Sequence, residues 1–430
     1  MNTISLPQLP WHGTKELKLS LPDSWQVELY HMAGWNRPAM KPEEIKAAIT
    51  NPIGIAPIRE LARGKNEVVI IFDDMTRATR LAEIVPFVLE ELSKAGIPDD
   101  KIRFVCALGC HGAHNRLDFA KKLGEEILAR FSVYNHNPFA HCTYVGTTNT
   151  YKTKVYINEE VMKCDLKIGI GLVVPHPASG FGGGGKIILP GVASYEAIEY
   201  NHRAALKDMT GYQENPPYGM GIFDNNPLRF DIEEAATMAG LDVLINCIIN
   251  TWGETVSVFA GDLVPTYATA VREAKSHYNT KEAKGENIVI ANTFAKAGEA
   301  IAVGLGTAFR ATSPQGGDVI LIANAPDGQV THYLMGTFGK NTSGEMGFRV
   351  RTPRHVNRVC IFSEYPDVTG RYYIEESDKV LYQQLELCYK EFSKFSRYGC
   401  KGSNLSRCGY SIYWSVTKPA YGSSFNKKTI

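Results

Sequence analysis

Short apolar runs along the chain alternate with longer stretches whose apolar residues recur every three or four positions. Glu67–Asp73 (EVVIIFD), Ile102–Leu108 (IRFVCAL) and Asp165–Val174 (DLKIGIGLVV) are nearly continuous hydrophobic runs. That pattern predicts strands buried on both faces of a parallel sheet. Helical spacing marks Leu81–Ala95, Arg116–Phe131, Ser194–Asp208, Leu228–Ala239 and Val264–His277, with strands at Val243–Asn250 and Thr255–Ala260. A second block opens at Asn287–Asn292 (NIVIAN) and continues through Asp318–Asn324 (DVILIAN) and Arg358–Ser363 (RVCIFS). The alternation predicts an α/β fold of two α/β domains with largely parallel sheets. The polar stretch Tyr278–Glu286 (YNTKEAKGE) separates the blocks and divides the chain into 1–280 and 281–430. Residues 393–430, rich in Ser, Tyr, Lys and Gly and without clear periodicity, stand out as an atypical tail.

Length agrees with that division, since 430 residues exceed what one hydrophobic core usually organises. A formal net charge of +1 gives no electrostatic reason to expect nucleic-acid or membrane partners. No run approaches the ~18 apolar residues that span a bilayer. The N-terminal MNTISLPQLPWHG lacks the basic start of a secretory signal, so a cytoplasmic location is expected. The 9 cysteines include no C-x-x-C pair, which argues against a disulfide framework and a zinc ribbon.

Ligand-binding residues of open parallel sheets gather beyond the C-terminal ends of strands, and three loops there carry candidate chemistry. After EVVIIF comes Asp73-Asp74-Met75-Thr76-Arg77-Ala78-Thr79-Arg80, whose arginines suit a carboxylate or phosphate and whose Thr76 adds a hydroxyl. Capping of the next helix by Asp74 or Thr76 is the plainer alternative. Gly109-Cys110-His111-Gly112-Ala113-His114 follows IRFVCAL and offers an imidazole that titrates near neutrality, or simply a surface histidine in a turn. The third loop, Pro175-His176-Pro177-Ala178-Ser179-Gly180-Phe181 followed by Gly182, Gly183, Gly184, Gly185 and Lys186, leads to Leu189-Pro190-Gly191. Four glycines before a lysine suit a phosphate, but Ile187 stands where the Walker pattern needs Ser or Thr. His202 follows on the next helix, within Tyr200-Asn201-His202-Arg203.

P-H-x-x-x-G-F-x-G-G-x-K-x-x-L-P-G followed by N-H resembles the signature of the nickel-dependent lactate racemase family, enzymes that carry a nickel-pincer nucleotide. The D-x-T-R and G-x-H loops match two upstream motifs of that family in the same order. Weaker similarity runs through Asn135–Pro138 (NHNP), Val155–Asn158 (VYIN) and Phe259–Asp262 (FAGD). The resemblance implies that residues 1–280 form a cofactor-binding catalytic domain, with the active site in the cleft between the two domains. It implies that Lys186 binds pyridinium-3,5-bisthiocarboxylic acid mononucleotide covalently, that His202 ligates nickel, and that His111 and His176 are the acid/base pair. By the same likeness Arg77 contacts the substrate anion, Asp74 and Thr76 belong to the cofactor loop, and Gly182 to Gly185 wrap the cofactor's polar edge. The implied reaction inverts a 2-hydroxyacid by hydride transfer through a 2-oxoacid, which avoids a carbanion next to a carboxylate. Cofactor-biosynthesis and nickel-insertion proteins are the implied partners.

The chain departs from the family in two places. Gly112, not arginine, follows the G-x-H histidine, and Ala297–Gly306 (AGEAIAVGLG) lacks the Tyr-Gln-x-x-Lys cluster of enzymes acting on lactate. These departures point to a hydroxyacid other than lactate, with Arg80 or His114 as substitutes for the missing contacts. Two other classes stay open: a zinc hydrolase or lyase using His111, His114, His176 and His202, and a non-catalytic nucleotide-binding protein.

Overall fold

Val68–Asp73, buried along its whole length, lies inside a six-stranded sheet. The order across this sheet is Thr255–Gly261, Val243–Ile249, Leu166–Leu172, Val68–Asp73, Ile102–Ala107, Ser132–Asn135. All neighbours are parallel except Thr255–Gly261, which runs antiparallel to Val243–Ile249. The chain moves outward from Val68–Asp73 to Ser132–Asn135, then returns to Leu166–Leu172 on the other side. Strand order therefore reverses between Val68–Asp73 and Leu166–Leu172, where the departing loops diverge and open a crevice. The computed structural model describes residues 2–8, 16–23, 25–211, 216–335, 349–375, 377, 379–382 and 409–413.

Local sequence explains how the helices and turns fit this sheet. The expected helix over Arg116–Phe131 is two, Arg116–Leu123 and Glu125–Arg130, because Gly124 takes a φ of 86° between them. Glycine in the buried strand Leu166–Leu172 makes room above the sheet. A Cβ on Gly169 would stand 2.7 Å from Ile187 Cγ2, so only glycine lets the turn Gly184–Ile187 settle on this strand.

A second sheet is parallel throughout, in the order Val380–Tyr382, Val356–Phe362, Gly317–Ile322, Ile288–Asn292, Gly409–Tyr413, Gln26–Tyr30. Strand alternation divides its core. Val289, Ala291, Val319 and Leu321 face Ile301, Leu305 and Ala308 of the helix Ala300–Ala311. Ile288, Ile290, Ile320 and Ile322 face Leu6, Leu19 and Leu21 of the hairpin Asn2–Pro7/Glu16–Leu21.

The protein is thus α/β with mostly parallel sheets, as the alternation predicts. Among the described residues, those up to Asn36, Thr251–Gly253 and those between Tyr278 and Tyr413 form one compact unit, while Arg37–Asn250 and Glu254–His277 form the other, so that residues 1–36 do not group with the rest of 1–280. The physical reason is Gln26–Tyr30 (QVELY), an edge strand too polar to register as part of a buried sheet. Most of the 393–430 stretch lies outside the described residues, but Gly409–Tyr413 within it is a strand of this second sheet. Cys106, Cys110, Cys142, Cys164 and Cys247 are free thiols, while Cys360 is disulfide-bonded. Among the described residues, no helix is long and apolar enough to cross a membrane.

Candidate active site

The turn after Val68–Asp73 closes through Arg77 N–H donating to the Asp74 carbonyl at 3.1 Å. Inside it, Asp74 Oδ1 accepts from the Thr76 amide at 3.0 Å and from the Thr76 hydroxyl. Arg77 Nη1 donates to Thr76 Oγ1 at 2.7 Å. The next helical turn, Leu81–Glu83, has no side-chain cap, so neither Asp74 nor Thr76 serves it. Asp74 instead turns its second oxygen to His111, whose Nδ1 lies 2.5 Å away. Burial alone would raise the Asp74 carboxyl. The charge and hydrogen bond of His111, with the charges of Arg77 and His114, outweigh that and hold it well below the usual carboxylate range. Since the carboxylate is ionised, His111 Nδ1 is the donor, and the neutral ring carries its lone pair on Nε2.

His111 reaches this position through glycine and proline packing. Gly109, at φ 55°, donates to the Gly191 carbonyl at 2.9 Å, and a Cβ there would meet Pro190 at 3.2 Å. The G-x-H loop therefore lies directly on the Leu-Pro-Gly turn that follows Lys186. His114, in contrast, is engaged in structure. Its Nε2 accepts from the Met75 amide at 3.2 Å, and its backbone exchanges hydrogen bonds with the Asn135 side chain. Arg80 pairs with Glu83 at 3.3 Å. Neither is placed as a substitute substrate contact by those bonds.

The glycine tract is packed into the protein. Gly182 N–H goes to the Val174 carbonyl at 2.7 Å, Gly184 N–H to Asn246 Oδ1 at 3.1 Å, and Gly185 N–H to Glu233 Oε1 at 3.3 Å. Arg229, buried and stacked 4.0 Å over the Tyr267 ring, donates to the Gly183 carbonyl at 2.7 Å. Tyr267 donates to the Gly182 carbonyl at 3.1 Å. The three amides named bond within the protein, and Arg229, Tyr267 and Ala236 fill the space of any Cβ at Gly184 or Gly185.

What the tract does is present Lys186, on the turn Gly184–Ile187, beside the helix Tyr195–Gly211 that carries His202. Burial, then the neighbouring charge of Lys186 and more weakly that of His111, hold the His202 imidazole down to about 3 against a backbone hydrogen bond with Ile198. Lys186 and His111, far from His202 in sequence, are thus both within electrostatic reach of it. His202 Nδ1 is buried and without a hydrogen-bond partner in the described structure, which suits a metal donor atom. The helix is fixed by Asn201 donating to the buried Asp231 at 2.8 Å, and its start by Tyr195 N–H donating to the Pro138 carbonyl at 2.8 Å. His136 meets the Ala193 carbonyl at 2.8 Å, so the NHNP segment supports both the His114 loop and the approach to this helix.

His176 enters from the strand Leu166–Leu172, on the other lip of the strand-order reversal. Its Nδ1 accepts from the amides of Ala178 and Ser179, each at 3.2 Å. Neutral His176 therefore carries its proton on Nε2, the opposite tautomer from His111. In their neutral forms one ring thus presents a lone pair at Nε2 and the other an N–H.

Sequence reasoning missed Lys122, Asp231, Arg229, Tyr267 and Asn246, all buried. Only the weak NHNP likeness hinted at such a supporting layer. Among the described residues no group of three or more His, Cys, Asp and Glu side chains is arranged to hold a metal. A zinc site built from His111, His114, His176 and His202 is not formed.

Residues 12–212 match a family model described as the lactate racemase N-terminal domain. A lactate racemase from Thermoanaerobacterium thermosaccharolyticum is 31% identical over 294 residues, covering 67% of this chain and 66% of that protein. One from Lactiplantibacillus plantarum is 29% identical over 297 residues, covering 66% of each. The chain thus matches just under two thirds of these relatives' own length. The lactate racemase apoprotein structure from T. thermosaccharolyticum superposes with a TM-score of 0.68 at 21% identity, covering 97% of this chain and 100% of that one. A Thermotoga maritima protein superposes at 0.58 and 18% identity, covering 88% and 99%. At such identities these two structures establish the shared fold. The chain is thus similar to the lactate racemases, and residues 12–212 match the model of their N-terminal domain.

Proposed function

We propose that this chain is a racemase or epimerase that inverts the C2 hydroxyl centre of a 2-hydroxyacid. The observation that carries the reading is the convergence of His111, Lys186 and His202 beside the reversal of strand order. The residues fit the nickel-pincer nucleotide of the family. His202 offers one neutral, buried and unpartnered nitrogen, Lys186 offers an amine near it, and a metal held mainly by an organic ligand needs few protein donors. In this reading Lys186 holds the mononucleotide covalently and His202 ligates the nickel. When bound, the group supplies a reversible hydride acceptor.

The protein's own residues manage the proton and the carboxylate. His111 accepts the substrate's hydroxyl proton on Nε2, and ionised Asp74 stabilises the imidazolium that results. When the opposite enantiomer forms, its alkoxide oxygen takes a proton from His176 in the imidazolium form, which leaves that ring neutral, and exchange with solvent resets both rings. The reverse reaction exchanges the two roles. Arg77 sits on the Asp74 turn as the cation for the substrate carboxylate.

The names of the two relatives support lactate as the first acid to test. Gly112 and the Ala297–Gly306 segment, where the family's lactate contacts are missing, favour a longer acid such as a sugar acid. Nickel-insertion and cofactor-biosynthesis proteins are the partners this chemistry requires. The test is to give the nickel-loaded enzyme enantiopure 2-hydroxyacids in deuterated water. Interconversion without deuterium at C2 is expected. Full deuteration at C2 would replace hydride transfer with carbanion chemistry, and no interconversion of any acid would remove the racemase reading.

A further inference from the structure

Lys122 lies in the last turn of the helix Arg116–Leu123, a place where lysines normally extend into solvent, yet only 1% of its side chain is exposed. Its ammonium donates to the Asp74 carbonyl at 2.8 Å and to the Arg77 carbonyl at 2.8 Å, and it lies 2.8 Å from Asp73 Oδ1. Those carbonyls belong to the first and last residues of the turn that carries Asp74, Thr76 and Arg77. A buried ammonium must be hydrogen-bonded and paired to offset desolvation; the turn supplies two carbonyl acceptors and Asp73 the opposite charge.

Asp73 extends the connection. Its other oxygen accepts from the Leu172 amide at 2.8 Å and from the Thr79 hydroxyl at 2.5 Å. Leu172 ends the strand that leads to His176, and Asp74 holds His111. A single buried ion pair therefore joins the loops on both sides of the crevice, one bearing each proposed acid/base histidine.

We infer that Lys122, paired with Asp73, is a positioning residue that sets the register of the His111–Asp74 pair relative to the strand bearing His176. It touches neither histidine directly and acts through the turn. Removing its charge leaves two buried carbonyls and a carboxylate without their shared donor, so the turn must open to find replacements. The inference rests on the racemase reading only for its kinetic consequence, and its structural content can be tested separately.

The direct test is NMR on the cofactor-free chain with ¹⁵N-labelled histidine, following the His111 Nδ1 proton, assigned through loss of the signal in His111→Gln. In the wild type this proton is expected to be strongly deshielded by Asp74. In Lys122→Met it should move upfield or vanish while the His202 and His136 ring signals stay in place. The nickel-loaded variant should lose about 10- to 100-fold in kcat with KM changed less than about 3-fold, as expected for a misplaced acid/base group. An unchanged His111 proton in folded Lys122→Met would overturn the inference. If that variant does not fold, Lys122→Gln, which keeps a donor, and the wild-type Lys122 ammonium signal decide the matter. A rapidly exchanging, solvent-averaged Lys122 ammonium would equally overturn it. Absence of racemase activity in the wild type would defeat the proposed function and leave the NMR result standing.

Discussion

The Asp74 carboxylate lies 2.5 Å from His111 Nδ1, although 37 residues separate the two in sequence. The contact fixes which nitrogen of His111 bears the proton and leaves Nε2 basic. Asp74→Asn keeps the shape but presents an amide, which favours the other tautomer. Racemisation by this variant should fall by about 10²- to 10⁴-fold, mostly in kcat, with substrate affinity nearly unchanged. Steady-state kinetics in both directions would check it, and an equal loss in KM would point to substrate binding instead.

The glycine tract is packed against Arg229, Tyr267 and Ala236, and its two halves should respond differently to alanine. At Gly184 the backbone has φ 60° and a Cβ would overlap Arg229 and Tyr267, so Gly184→Ala should destabilise by about 1–3 kcal/mol. Gly182 has no positive φ, and the nearest atom to its Cβ would be the Leu172 carbonyl oxygen at 3.2 Å. Gly182→Ala should be the milder change in a thermal melt. The reverse order would speak for the tract contacting a ligand.

His136 supplies a pH dependence. It is 2% exposed, and burial holds its imidazole down to about 4 against the effect of the Ala193 carbonyl. The unfolded ring protonates below about 6.5, while the folded ring stays neutral until about 4. The unfolded state therefore binds the extra proton in that window, and stability falls as pH drops through it. One such group contributes up to about 1.4 kcal/mol per pH unit. Denaturation midpoints at pH 7, 6 and 5 should decline less steeply in His136→Gln. A slope identical to the wild type would assign the acid sensitivity elsewhere.

The residues proposed to act are more legible in the sequence than the residues that hold them. His111, His176, Lys186 and Arg77 follow strand ends, where periodicity and loop composition are informative even in one chain. Lys122, Asp231 and Arg229 sit on helices and look like ordinary surface charges, because nothing local says that their faces turn inward. The same limit applies to the fold. Runs such as VVIIFD announce buried strands, whereas the hairpin Asn2–Pro7/Glu16–Leu21 and the strand Gln26–Tyr30 are short and half polar. The hairpin's place against the second sheet, and the strand's place within it, depend on partners more than 250 positions away, as in Leu6 against Ile288 and Ile290. Four consecutive glycines read as a ligand cradle because such tracts often are one. Here the neighbours that claim the space, Arg229 and Tyr267, appear only in three dimensions.

The central claim concerns Lys186 and His202 as two halves of one cofactor site. Intact mass and nickel content, measured on chain purified from cells that make the pincer nucleotide, test it most directly. The account predicts a covalent mass increase that disappears in Lys186→Ala, and nickel that is lost in His202→Ala while the mass increase persists. An unmodified mass in the wild type, or nickel retained at full stoichiometry in both variants, would contradict it.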